Sequence, residues 1–146
     1  MVAAIRNATR DDYAAIVHLI RQMAEDAGDQ SWLTEGYVET YLSFPGSGAL
    51  LAEEEGRVVG LLSYHIRPGL YHAANCCLID ELVVDRPVRR QGIGSALLGQ
   101  LLQEQEQTGC AEVGVSCMPD NEGAIRLYRR HGLVDEALLL ERHFNR

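Results

Sequence analysis

The chain of 146 residues predicts an α/β domain built on a mixed, largely antiparallel sheet with helices on both faces. Three observations carry that prediction. Short stretches of strand formers interleave with stretches whose apolar residues recur every three or four positions. The central stretch Leu78 to Leu98, LIDELVVDRPVRRQGIGSALL, joins a buried strand to a Gly-punctuated turn and then to an apolar helix. Two strands ahead of it are linked by a short charged hairpin.

Taken in order, Val2 to Ala8 reads as a first strand, and Thr9 with Asp12 three residues later reads as a helix start. Tyr13, Ile16, Val17, Ile20 and Met23 mark one face of a helix ending near Gly28; His18 on it reads as a packed or surface side chain. Ala24 to Thr34 is a polar loop. Tyr37, Val38, Tyr41 and Leu42 then suggest a short second helix closed by Phe44-Pro45-Gly46. Ala49 to Ala52 and Val58 to Ile66 read as two strands joined by Glu53-Glu54-Glu55-Gly56-Arg57. Arg67 to Ala73 reads as a loop into the central strand, with His65, Tyr71 and His72 as candidates to lie near an acceptor. His65 and His72 are seven apart with no third ligand at metal spacing, so no metal site is expected.

In the central stretch, Ile79, Leu82, Val83 and Val84 favour a strand, and Pro87 ends it. Alternation puts Asp80, Leu82 and Val84 on one face and Glu81, Val83 and Asp85 on the other. Only one of Asp80 and Glu81 therefore faces a given cleft unless a bulge intervenes, and parity does not choose between them. Gly92 and Gly94 open a helix with Ile93, Ala96, Leu97, Leu98, Leu101 and Leu102 at helical spacing. Free N–H groups at such a helix start, with the helix dipole behind them, favour an anion. Arg86, Arg89 and Arg90 crowd around the same turn in a chain of net charge -8. Thr108-Gly109 reads as the helix stop, Ala111, Val113, Val115 and Cys117 as another strand, and Asn121, Ala124 and Tyr128 as one face of a last helix. Leu133, Ala137 to Leu140 and Phe144 are compatible with one or two final strands.

The length suits one domain, residues 1–146, burying roughly two-thirds of the surface of its unfolded chain. All 13 basic residues are arginine, which excludes a Schiff-base or P-loop lysine. The acidic balance argues against nucleic-acid binding and suits cationic small molecules or basic peptides. No apolar run approaches the roughly 20 residues of a membrane span. The first residues show no signal peptide, so a cytoplasmic location with reduced thiols at Cys76, Cys77, Cys110 and Cys117 is expected; Cys110 and Cys117 are placed on a buried strand.

Arg89-Arg90-Gln91-Gly92-Ile93-Gly94, after the strand ELVV and before a helix, resembles motif A of the GNAT N-acetyltransferases. Asn121-Glu122-Gly123-Ala124-Ile125-Arg126-Leu127-Tyr128-Arg129-Arg130-His131-Gly132-Leu133 resembles the same family's Asn-x-x-Ala-x-x-Leu-Tyr-x-x-x-Gly-Phe helix, with Leu133 where Phe is usual. The resemblance implies splayed central strands with acetyl-CoA between them as co-substrate, and transfer of its acetyl group to a primary amine in a direct ternary complex. The pyrophosphate is then expected on the N–H groups from Gln91 through Gly92, Ile93 and Gly94 to Ser95, with Arg89 and Arg90 supplying charge. The strand backbone at Leu82, Val83 and Val84 is expected along the pantetheine arm, and Asn121, Ala124 and Tyr128 against the cofactor.

Such a transfer needs a group to take the amine proton and another to return one to sulfur. Glu81 is the first choice of base because ELVV resembles members with an acidic residue just before the Leu; Asp80 is second, and Tyr128 is the expected acid. In other members the carboxylate stands where this chain has Leu78. The resemblance also implies that Asp26, Asp29, Trp32 and Glu35, in the helix–loop–helix wall, are candidates for acceptor contact, and that the chain forms a homodimer, to which Ala137 to Leu140 would contribute. A small-molecule amine is the preferred acceptor. The alternatives are a non-catalytic acyl-CoA-binding regulatory module and a protein or peptide N-acetyltransferase. A dinucleotide-binding Gly-x-Gly-x-x-Gly is a poor match because Leu97 occupies the third position.

Overall fold

A computed structural model describes residues 3–145. The chain falls into two compact units, one ending at Val115 and one beginning at Ser116. The first carries strands β1 (Ala4–Asn7), β2 (Ser47–Glu54), β3 (Arg57–Gly69), β4 (Ala74–Val84) and β5 (Glu112–Val115), with helices α1 (Tyr13–Asp26), α2 (Glu35–Ser43) and α3 (Ile93–Gln107). The second carries helix α4 (Glu122–Arg130). The strands lie in the order β1-β2-β3-β4-β5, antiparallel throughout except for the parallel pair β4–β5. The mixed, largely antiparallel sheet is thus as the sequence predicts.

Alternation on β2 divides the core between the two faces. Ala49 and Leu51 pack with Ile16, Val17 and Leu19 of α1, Val38 of α2, Leu61 and Val83. The residues between them point to α3: a Cβ on Gly60 would lie 2.9 Å from Ile93, 3.1 Å from Leu97 and 3.2 Å from Ala52. Glycine at that position lets α3 sit close to the sheet. Leu97, Leu98 and Leu101 of α3 are fully buried, as their spacing predicts. The start of α1 is held by Asp12, whose carboxylate takes the Thr9 N–H at 2.7 Å and both ends of the Arg6 guanidinium at 2.8 and 2.9 Å. Arg6 thereby holds the Asp12 carboxyl down to about 2.

Several boundaries differ from expectation for identifiable reasons. The first strand is shorter than Val2 to Ala8, and Val2 lies outside the described residues. The hairpin between β2 and β3 is a two-residue turn, with Glu55 at φ 51° and Gly56 at φ 76°, the twist that antiparallel ribbons favour. Strand β3 runs on through Arg67 and Pro68, where a loop is expected. Pairing with β2 stops at Ser47–His65, so the missing Pro68 N–H costs no ladder bond on the open side. Cys117 lies beyond β5 and is exposed, and Cys110 precedes it and is half-buried; neither is on a buried strand. Residues 133–145 form no strand among the described residues and leave Leu138 and Leu140 exposed, because no partner strand pairs with them.

Candidate functional site

The register of β3 on β4 settles what alternation leaves open. Ser63 pairs with Glu81 and Tyr64 with Ile79, so Asp80 is an extra residue without a partner, a β-bulge. A bulge makes two successive side chains emerge on the same side. Asp80 and Glu81 accordingly both line one cavity of about 230 Å³, whose other walls come from Ile16, Ile20, Leu33, Val38, Tyr41 and Leu61. The cavity is an apolar chamber with two carboxylates on its floor, and among the described residues no Arg or His side chain lines it.

The two carboxylates are held differently. Asp80 is anchored through Oδ2, which lies 3.0 Å from the Tyr41 hydroxyl and 3.0 Å from His65 Nδ1. The Tyr41 proton is shared with the Tyr64 carbonyl at 2.9 Å, and burial followed by the Asp80 charge pushes that phenol well above its ordinary range. Both contacts fall on one oxygen, leaving Oδ1 for a ligand. Glu81 forms a closed ring with Ser63: the Ser63 hydroxyl donates to Glu81 Oε1 at 2.5 Å and accepts the Glu81 N–H at 3.0 Å. Burial is the largest influence on Glu81 and pushes its carboxyl up, opposed by the Ser63 bond and reinforced by Asp80. A carboxylate whose proton affinity is raised in this way is a stronger proton acceptor than an exposed one.

Beyond the bulge, β4 has an open edge. Its parallel pairing with β5 ends at Ile79–Val115, so Leu82, Val83 and Val84 pair with no strand but β3 among the described residues, and the Val84 carbonyl is taken by the Arg89 side chain. The strand leads through Asp85 into a short 3-10 turn at Arg86–Val88 and then to α3. Arg90, at φ 66°, and Gly92, at φ 83°, put the backbone into left-handed conformations just ahead of the helix. The first bond of α3 runs from the Ala96 N–H to the Gly92 carbonyl, so the N–H groups of Ile93 and Gly94 have no acceptor within the helix. Ser95 follows in the same first turn, and a Cβ on Gly92 would meet nothing within 4 Å, so the space over these donors is open. A left-handed turn feeding a 15-residue helix with Gln91 and Gly92 exposed fits a pyrophosphate, as acetyl-CoA requires.

The arginines of the turn divide their roles. The Arg89 guanidinium lies 2.7 Å from Asp26, 2.8 Å from the Val84 carbonyl and 3.3 Å from Gln22. Arg86 pairs with Asp26 at 2.7 Å and with Glu25 at 3.4 Å. Arg90 alone of the three is exposed with no ion pair among the described residues. Asp26, a candidate for acceptor contact, is thus engaged in holding the turn, and the two arginines keep its carboxyl below the ordinary range. Asp29 caps the Gln30 N–H, Trp32 is exposed, and Glu35 lines a separate polar hollow with His18, Arg21, Gln22 and Arg86.

In the second unit, Asn121 caps α4 by accepting the Ala124 N–H at 3.3 Å. Tyr128, four residues beyond Ala124, is buried, and burial together with Cys117 pushes its phenol up to about 12. It is a protonated hydroxyl across the neutral range.

Sequence reasoning missed Tyr41, Ser63 and Gln22 as parts of the site. Gln22 is the link between helix and turn: its Nε2 donates to the buried Asp85 at 2.9 Å while its Oε1 accepts the Arg86 N–H at 3.2 Å. No local signal marks it, since Arg21 and Met23 flank it in the sequence and its burial on α1 shows only in the fold. Of the histidines, His65 contacts the Asp80 carboxylate without lining the cavity, whereas His72, like Tyr71, lies at the β3–β4 turn.

The chain is similar to known proteins in sequence and in fold. Residues 13–133 match the model of the acetyltransferase (GNAT) family. The aminoalkylphosphonate N-acetyltransferase of Salmonella typhimurium is 34% identical over 131 residues, covering 90% of this chain and 84% of that protein. The thialysine N-epsilon-acetyltransferase of Bos taurus is 29% identical, again covering 90% and 84%. An aminoglycoside acetyltransferase from an uncultured soil metagenomic sample shares the fold at a TM-score of 0.83 with 22% identity, covering 99% of this chain and 96% of that one. With a family model matching most of the chain and a relative 34% identical over 90% of it, the chain belongs to the GNAT family of acetyltransferases.

Proposed function

We propose that this protein is an N-acetyltransferase that moves the acetyl group of acetyl-CoA to the primary amine of a small molecule, directly, within one ternary complex formed by a single catalytic domain. The observation that carries this reading is the bulge at Asp80, which brings two carboxylates into one apolar cavity of about 230 Å³. A chamber of that size takes an amine on a short stem, and the relatives named for aminoalkylphosphonate and thialysine support a small acceptor.

When bound, acetyl-CoA supplies an acetyl thioester as electrophile. The N–H groups of Gln91, Gly92, Ile93, Gly94 and Ser95 hold its pyrophosphate with Arg90 adding charge, while Arg89 holds the turn through Asp26. The open edge of β4 at Leu82, Val83 and Val84 aligns the extended arm by strand-like pairing. Asp80 Oδ1 receives the acceptor ammonium, and Glu81 removes its proton so that nitrogen attacks as a neutral amine. As the C–N bond forms and the C–S bond breaks, Tyr128 donates the proton that sulfur requires; Asn121 and Ala124 line the same helix face. Each positioned acid or base contributes about a hundred- to ten-thousandfold in rate. No step of this reaction calls on a metal.

All four cysteines are free thiols, which supports a reducing, cytoplasmic setting. Among the described residues no helix is long and apolar enough to cross a membrane. The exposed Leu138 and Leu140 support pairing of two copies, which sedimentation would read directly.

The test is calorimetric titration of acetyl-CoA beside a thiol-release assay against amines and peptides. Saturable binding with release for one class of small amine is expected. Binding without release for any acceptor would favour an acyl-CoA-binding module, and a clear preference for peptides would overturn the choice of small amines.

A further inference from the structure

We propose that His72, Cys76 and Glu112 form a binding site for zinc or a zinc-like divalent ion, outside the acetyl-transfer machinery. Three separate pieces of chain supply the donors: the β3–β4 turn, the start of β4 and the first residue of β5. The parallel register pairs Cys76 with Glu112 directly, so both side chains leave the sheet on one side. Ala73, at φ 52°, takes a left-handed conformation that non-glycine residues rarely adopt, and it precedes the strand by one residue. His72 Nε2 lies 3.5 Å from Glu112 Oε2, and the three donor atoms all lie within 4.8 Å of one another.

A tetrahedral ion with a sulfur ligand at about 2.3 Å and a nitrogen ligand at about 2.0 Å needs donors about 3.5 Å apart. Closing the remaining ångström falls to His72 and Glu112, whose side chains are part-exposed and able to swing, while buried Cys76 stays in place. The Cys76 thiol has little to lose: its one hydrogen-bond contact, to the Ala74 carbonyl, is long at 3.9 Å. The Tyr71 ring stands T-shaped to the His72 imidazole at 5.1 Å between centroids. A thiolate, an imidazole and a carboxylate together select zinc or cobalt over magnesium or calcium, and three protein ligands leave one position for water. The ion would clip the turn to the β4–β5 pair four residues before Asp80. Residue spacing conceals this site because Glu112 joins His72 only through the sheet.

The test uses the whole protein, stripped with a chelator and titrated with cobalt(II) chloride, read by the near-ultraviolet thiolate-to-cobalt charge-transfer band, and with zinc chloride by calorimetry. One equivalent is expected to bind. Cys76→Ser should abolish the band, and His72→Ala, on the exposed turn, should weaken zinc binding at least about tenfold. Cys110→Ser and Cys117→Ser should leave both readings unchanged. Absence of a saturable band in the wild type would overturn the proposal, as would a band that survives Cys76→Ser or zinc affinity unaltered in His72→Ala. The last reading stands even if Cys76→Ser fails to fold.

Discussion

The turn ahead of α3 and the cavity at the β4 bulge are neighbours in sequence, yet they are built on opposite principles. The turn presents backbone: Arg90 and Gly92 in left-handed conformations, open N–H groups, and side chains such as Arg89 and Asp26 that pair with each other. The cavity presents side chains: Asp80 and Glu81 on an apolar floor, each restrained by a partner from another element, Tyr41 and His65 for one and Ser63 for the other. An anion can be held by a local conformation that a few consecutive residues specify. A base with a raised proton affinity needs burial, and burial is assembled from distant parts of the chain. Substitutions in the turn should therefore act on acetyl-CoA binding, and substitutions in the cavity on chemistry and on the acceptor.

The largest separation is expected from Glu81→Gln. Loss of the base should lower kcat about a hundred- to ten-thousandfold while the Kd for acetyl-CoA, measured by calorimetry, stays unchanged. Stability gives an independent reading. A carboxyl raised by burial contributes stability below its unfolded pKa and loses it as pH rises through the folded one, so Glu81→Gln should not lower Tm at pH 7.

Asp80→Asn should act mainly on the acceptor, raising its KM about tenfold or more through loss of a hydrogen bond to a charged group, with a smaller loss in kcat than Glu81→Gln. If Asp80→Asn costs more in kcat than Glu81→Gln, the two roles are reversed. In the turn, Gly92→Ala puts a Cβ at φ 83°, which costs about 1–2 kcal/mol; acetyl-CoA should bind about tenfold more weakly with acceptor KM unchanged. The smallest effect is expected from Gln22→Ala, which removes a support of the turn without touching either ligand. A threefold to fivefold rise in the acetyl-CoA Kd, about 1 kcal/mol, should accompany a modest fall in Tm.

The same contrast explains what the sequence discloses. The turn and its helix are legible because Arg89-Arg90-Gln91-Gly92-Ile93-Gly94 is contiguous and its conformational demands are local. The β2–β3 pairing is legible from one charged hairpin, whereas β1–β2 and β4–β5 are joined across helices and their pairing shows only in the fold. The pairing of Asp80 with Glu81 in one cavity is not legible by alternation, since it depends on a register shift opposite Ser63 on another strand. A hint was present: two adjacent carboxylates in an otherwise apolar strand cannot both be accommodated by regular pleating without one entering the core. Tyr41 reads as a helix-face aromatic until the fold shows its hydroxyl at Asp80. Asp26 reads as a loop carboxylate available to a substrate until Arg86 and Arg89 are seen to hold it. The expected final strands failed for a related reason: a strand is defined by a partner, and an apolar run such as Ala137 to Leu140 does not name one.

In the proposed mechanism the bulge couples Asp80 and Glu81 in one buried site and so makes Glu81 the base. The most direct measurement is carbon NMR titration of the Glu81 carboxyl in the wild type and in Asp80→Asn. The expected midpoint lies above that of an ordinary glutamate, about 4.3, and moves down when the neighbouring charge is removed. A midpoint at or below the ordinary value, or one that Asp80→Asn leaves unmoved, would contradict it.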